Sequence, residues 1–349
     1  MKKQFFFFFL LLLNSINNIN ALNNKLTSIF ESVERLTIFT EWTGKKQTVD
    51  VFFTNWCEGS LPTVFDSILV HMWTNQSVPL ITWQMENCDG SGPAGITKLV
   101  NQNVYDSYIN EFSDRLKKWL SGNDGIYGTN DDRRAYLRLA HEMNGNWYPW
   151  SKNATPSDYI RAWQHVYKIF SSKNIDSTRL QWIWCVNNAD VGEYKAEEYW
   201  VGEEYVDWIG IDGYNFGASQ TWSSWVWPQQ VFDTMIARVR KLSLNKPLSI
   251  NEYGCTSMIT PGISNVAMKT EWLNRFCNYI DVNSVKMASY FNIEKETDWS
   301  IFGGQHGDAV WKNLNVYSAY RNCLQTNSWI ESNSTNPRLI TDEQFAGKI

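Results

Sequence analysis

The sequence predicts an α/β protein folded as one closed (β/α)8 barrel. Eight short apolar runs alternate with helix-length segments along the chain, the order that gives a parallel sheet closed on itself. An open doubly wound sheet would want a glycine-rich turn after its first strand, and neither GxGxxG nor GxxxxGK[ST] occurs. No Pro/Gly/Ser linker divides the chain, so a single domain is the simplest count.

In order, the strand candidates are "LTSIF", "TVDVFFTNW", "VPLITWQ", "AYLRLAHE", "LQWIWCVN", "DWIGIDGY", "PLSINEYG" and "VKMASYFNI". Two of the intervening helices are plain. "PSDYIRAWQHVYKIF" puts Tyr159, Trp163, Val166 and Phe170 on one face. "PQQVFDTMIARVRKL" does the same with Val231, Met235, Val239 and Leu242, and Pro228 stands where a helix begins. The barrel is expected over residues 22–349, with a polar tail from about Ser328 decorating it.

Before the barrel comes "MKKQFFFFFLLLLNSINNINA": two lysines, an apolar run from Phe5 to Leu13, then polar residues and Ala21. This is the layout of a secretory signal peptide over residues 1–21, since the apolar run is far short of the roughly 20 residues that span a bilayer. The protein is therefore expected outside the cell. The net charge of −5, without a basic cluster beyond Lys2 and Lys3, argues against nucleic acid or an anionic membrane as partner. Export permits disulfides. Of six cysteines, Cys57 is expected to pair with Cys88 and Cys277 with Cys323, while Cys185 lies inside a strand pattern as a buried thiol. Asn75, Asn153 and Asn333 begin N-x-S/T sequons compatible with glycosylation.

Some of the 19 Trp, 16 Tyr and 18 Phe fill core, but Trp in loops suggests flat apolar platforms for a ligand. In a (β/α)8 barrel the site lies at the C-terminal ends of the strands. Those ends read Trp56, Trp83, Glu142, Asn187, Tyr214, Glu252 and Asn292. Glu142 ends the fourth strand and Glu252 the seventh, so across the mouth the two carboxyls can converge on one bond. Glycoside hydrolysis needs such a pair: one carboxyl protonates the leaving oxygen, the other attacks or guides water. Aromatic surroundings would desolvate Glu142 and keep it protonated, and Tyr214 is placed to donate a hydrogen bond to Glu252. Taken singly, each Glu at a strand end also reads as a solvated loop residue or an ion-pair partner.

Lesser signals carry less. "HEMNG" starts like HExxH, but its fifth residue is Gly145, so the second zinc ligand is missing. Asp124, Asp131 and Asp132 lack calcium-loop spacing and read as a turn. Asp212 is equally compatible with the barrel mouth and a turn cap. Glu294 and Glu296 read as loop residues, and Cys255 as structural.

"HEMNGNWYPW", "EEYVDWIGIDGYN", "NEYG" and "FNIEKETDW", in this order, resemble glycoside hydrolase family 26, a clan A barrel family of β-mannanases and some mixed-linkage β-glucanases. The likeness runs from about Leu26 to Leu324. It implies a retaining enzyme with Glu142 as acid/base and Glu252 as nucleophile, supported by His141 and Tyr214. It also implies a polysaccharide substrate and no metal or other cofactor. Trp299 would line the site, and Trp83, Trp147 and Trp150 would serve as platforms by position. β-Mannan is the expected substrate by a narrow margin. The third strand reads "PLITWQMENC", where the mannanases of the family often carry a histidine, and this departure points toward glucan.

Overall fold

The computed structural model describes residues 24–349, so the expected signal peptide lies outside the described residues. Eight parallel strands close the barrel: β1 (Lys25–Phe30), β2 (Val49–Asn55), β3 (Val78–Gln84), β4 (Ala135–Leu139), β5 (Leu180–Asn187), β6 (Trp208–Asn215), β7 (Leu248–Cys255) and β8 (Val285–Phe291). Each pairs with the next, and β8 returns to β1 from Leu26↔Met287 to Phe30↔Phe291. All eight expected strands are present.

Alternation along each strand sorts the side chains. Val49, Val51, Val78, Leu80, Tyr136, Ile183 and Met287 fill the barrel, and Ile81, Trp83, Leu137 and Leu139 turn outward to the helices. That outer layer includes α1 (Leu36–Thr43), α2 (Asp106–Leu120), α3 (Pro156–Ser172), α4 (Pro228–Val239), α5 (Val266–Val282) and α6 (Ser318–Leu324). The predicted apolar faces of α3 and α4 are buried, apart from half-buried Leu242 just past the end of α4. Between β5 and β6 the alternation fails. Two short 3-10 turns, Ala196–Tyr199 and Glu203–Tyr205, replace a full helix. Gly192 and Gly202 there sit at positive φ (61° and 104°), and the polar run "GEYKAEE" has no apolar stripe to dock a helix.

The tail does more than decorate. Trp329–Ile330 adds a short parallel strand beside β1, and Leu339, Ile340 and Phe345 pack with Tyr136 and Trp208 at the barrel floor. Tyr136 Oη donates to the Phe345 carbonyl at 3.0 Å. Disulfides join Cys57 to Cys88, between the loops after β2 and β3, and Cys277 to Cys323, between α5 and α6. Cys185 and Cys255 are buried free thiols. Among the described residues no helix is long and apolar enough to cross a membrane.

Candidate active site

Glu142 is aimed by an unusual piece of backbone. After β4 the chain passes through Ala140 (φ 44°) and Glu142 (φ 54°), both left-handed and neither glycine. Such residues cost on the order of 1–3 kcal/mol each and persist only where the surroundings hold them. Here the Ala140 N–H donates to the Trp83 carbonyl (3.1 Å) and the Glu142 N–H to the Cys185 carbonyl (2.9 Å). Tyr159 Oη and Trp150 Nε1 cap the carbonyls of Ala140 and His141 (3.0 and 2.8 Å). Asn144 then ties the loop to the end of β5, donating to the Asn187 carbonyl and accepting from the Asn187 N–H.

The indole of Trp147 folds back over this turn and its Nε1 donates to Glu142 Oε2 at 2.8 Å. Gly145 makes room for the ring, since a Cβ there would lie 2.4 Å from it. Only 8% of Glu142 remains exposed. Burial first, and the negative charge of Glu252 second, push its carboxyl up to about 8, against a smaller opposite pull from the Trp147 hydrogen bond. Glu142 therefore holds its proton at neutral pH.

Glu252 is reached differently. Opposite β6 the register runs Ile211↔Ile250 and then Asp212↔Glu252; opposite β8 it runs Ala288↔Ile250 and then Tyr290↔Tyr253. Both neighbours show one extra residue in β7 just after Ile250, a β-bulge at Asn251. Asn251 Oδ1 accepts from Ser249 Oγ (2.9 Å), and the extra residue re-aims Glu252 to the axis of the barrel. There Glu252 Oε1 accepts from Arg138 Nη2 and Oε2 from Tyr214 Oη, each at 2.5 Å. Glu252 is 6% exposed.

Arg138 escaped the sequence reading. It sits at an inward position of β4, wholly buried, with Nη1 on both oxygens of Asp212 (2.9 and 2.7 Å) and Nη2 also on Thr82 Oγ1. Burial alone would weaken its charge, but Asp212 and Glu252 more than offset this and hold it firmly protonated. The clue was available: in "AYLRLAHE" an arginine occupies a core-facing position, where an unpaired charge would be prohibitive. Asp212 thus belongs to the barrel interior, not to a turn cap. His141, Asp212 and Glu252 bring donor atoms within 4.8 Å of one another, the kind of cluster that can hold a metal. The positive charge such a set calls for is already supplied by Arg138, bonded to both carboxylates.

His141 lies at the edge of this network, its Nε2 3.1 Å from Tyr148 Oη and 3.8 Å from Glu252 Oε1. Burial and the Arg138 charge drive its pKa well below the usual histidine range, so the ring is neutral.

The four tryptophans part company. Trp147 is 41% exposed beside Glu142. Trp299 packs on Tyr214 with ring centroids 5.0 Å apart, behind Glu252, and donates to Glu296 Oε2. At 1% exposure its ring is covered, so the expectation that it lines the site is corrected to a supporting role behind Tyr214. Trp83 is not at the mouth: it has outward parity, is fully buried, and stacks on Phe112 at 4.1 Å. Trp150 is also fully buried, stacked on Tyr148 at 4.2 Å. Neither offers a face to a ligand, so the platform expectation for both is corrected: Trp83 is core, and Trp150 supports the His141 turn. Asp131 and Asp132 are engaged by the backbone N–H groups of their own turn, with Arg179 on Asp132.

Comparison with known proteins agrees with this fold. Over 325 residues the chain is 27% identical to Endoglucanase H of Acetivibrio thermocellus, covering 89% of this chain but 32% of that protein. It is 26% identical to mannan endo-1,4-beta-mannosidase of Bacillus subtilis over 205 residues, 56% of this chain and 52% of the relative. The chain thus spans about a third of the first relative and about half of the second. The fold is shared with a GH26 beta-mannanase from Bacteroides ovatus: TM-score 0.64, 14% identity, covering 93% of this chain and 96% of that one. The profile of glycosyl hydrolase family 26 matches residues 70–252, just over half of the sequence and the stretch holding both carboxylates, and the chain belongs to that family.

Proposed function

We propose that this protein is a retaining endo-hydrolase of a β-1,4-linked polysaccharide, acting outside the cell. The observation that carries the reading is the unequal treatment of two carboxyls at one barrel mouth. Glu142 is desolvated under Trp147 and protonated, whereas Glu252 accepts from a cationic guanidinium and a phenol, which fix both of its oxygens.

In the first step Glu252 attacks the anomeric carbon as the glycosidic bond breaks, and Glu142 gives its proton to the departing oxygen. In the second, Glu142 takes a proton from water, whose oxygen attacks the same carbon and frees Glu252. Tyr214 and Arg138 orient the nucleophile. Neutral His141, beside Oε1, adds no competing charge. Trp147 flanks the reacting sugar, whose C–H faces are apolar.

For the sugar, two readings stand. Mannan follows from the family and from the B. subtilis relative. Glucan is favoured by features of this chain: Trp83-Gln84 in the region where the family's mannanases often carry a histidine, and a match to Endoglucanase H that runs over 89% of the sequence. We put glucan first.

A reducing-sugar assay on barley β-glucan and galactomannan decides between them. Glu142→Gln and Glu252→Gln should each lower the rate by at least ~1,000-fold on either polymer. A binding barrel without turnover would show no hydrolysis in the parent protein, and unchanged binding in both variants.

A further inference from the structure

The loop after β6 carries an aromatic group that neither the core nor the catalytic chemistry uses. Trp222 is 72% exposed, although it is the kind of side chain that folding tends to cover. Its loop is well tied. Buried Asn215 accepts through Oδ1 from the Gly217 and Val226 N–H groups (3.1 and 3.2 Å), gathering both ends of the loop. The Ala218 N–H donates to the Met258 carbonyl at 2.7 Å, and Ser223 Oγ to the Gly217 carbonyl at 2.7 Å. Gly217, at φ +51°, is fixed there because a Cβ would lie 2.3 Å from the Met258 carbonyl oxygen.

From this base the ring joins the active site through a continuous series of contacts. Trp222 packs on Phe216 (4.9 Å between centroids), Phe216 on Trp299 (4.8 Å), and Trp299 on Tyr214 (5.0 Å), which holds Glu252. The same loop carries a polar group: Gln220 Nε2 donates to the Glu296 carbonyl, and Lys295 pairs with Glu296. A flat, exposed apolar ring, linked through packed rings to the tyrosine that holds Glu252, suits one class of ligand. Sugars present an apolar C–H face and a rim of hydroxyls.

We propose that Trp222 is an outer sugar platform, stacking on a residue of the polysaccharide away from the bond being cleaved. This rests on the proposed function, because the occupant is the same β-linked chain that reaches Glu142 and Glu252.

The test measures binding without turnover. In the Glu252→Gln background, affinity gel electrophoresis with barley β-glucan and with galactomannan gives a Kd for the parent and for three further variants. Trp222→Ala should weaken binding of the preferred polymer about tenfold, and Trp222→Phe should recover most of the loss. Leu244→Ala, which removes another highly exposed apolar side chain, just before β7 and away from the mouth, should leave Kd unchanged. Parent-like binding by Trp222→Ala overturns the platform alone, as does a Trp222→Phe variant no better than Trp222→Ala. A parent that binds neither polymer overturns the platform together with the proposed substrate.

Discussion

At the scale of single residues, the chemistry rests on how two glutamates are solvated. Glu142 has an aromatic cover and one indole donor; Glu252 has a guanidinium and a phenol. Since Glu142 must be protonated to act as acid, kcat/KM should fall as pH rises through about 8. The Trp147 hydrogen bond favours the ionised carboxylate, so Trp147→Phe should raise the Glu142 pKa. The alkaline limb of the pH profile would then move up by roughly half to one pH unit, a shift set by the ~1 kcal/mol typical of one hydrogen bond. A limb that stays in place would show that burial and the Glu252 charge set this acid without the indole. The two glutamates were legible because carboxyls at strand ends amid Trp and Asn are chemically conspicuous. Trp83 and Trp150 were misplaced because nearness to a strand end was weighed above parity. Trp83 shares its face with Ile81 and Met85, and that alternation would have sent it outward.

At the scale of elements, two local irregularities do the positioning. The left-handed turn after β4 points Glu142 inward, and the Asn251 bulge in β7 does so for Glu252. Neither was visible in the sequence. Left-handed conformations at alanine and glutamate have no composition signal, and a bulge is defined only against its partner strands. The strands themselves and the apolar faces of α3 and α4 were legible because period-2 and period-3.6 patterns survive in the sequence. The tail was misjudged for a related reason: three apolar residues among polar ones make no periodic pattern, yet Phe345 seals the floor against Tyr136 at 4.8 Å. Phe345→Ala should therefore destabilise the protein by about 3–5 kcal/mol in urea unfolding while kcat changes little. Loss of kcat without loss of stability would mean that the floor is coupled to the mouth.

At the scale of the whole molecule, barrel closure brings residues 110 positions apart in the sequence to one cleft, and two disulfides brace it from outside. The Cys277–Cys323 bridge spans 46 residues between α5 and α6. Loop-closure entropy for that span is worth up to about 4 kcal/mol. Replacing both cysteines by alanine should lower Tm by roughly 5–10 °C, read by differential scanning calorimetry. An unchanged Tm would mean that helix packing alone suffices. The central claim concerns the pair of carboxyls, and stereochemistry tests it most directly. Proton NMR of the first sugar product, recorded before mutarotation, should show a β-configured reducing end. An α-configured first product would contradict nucleophilic attack by Glu252.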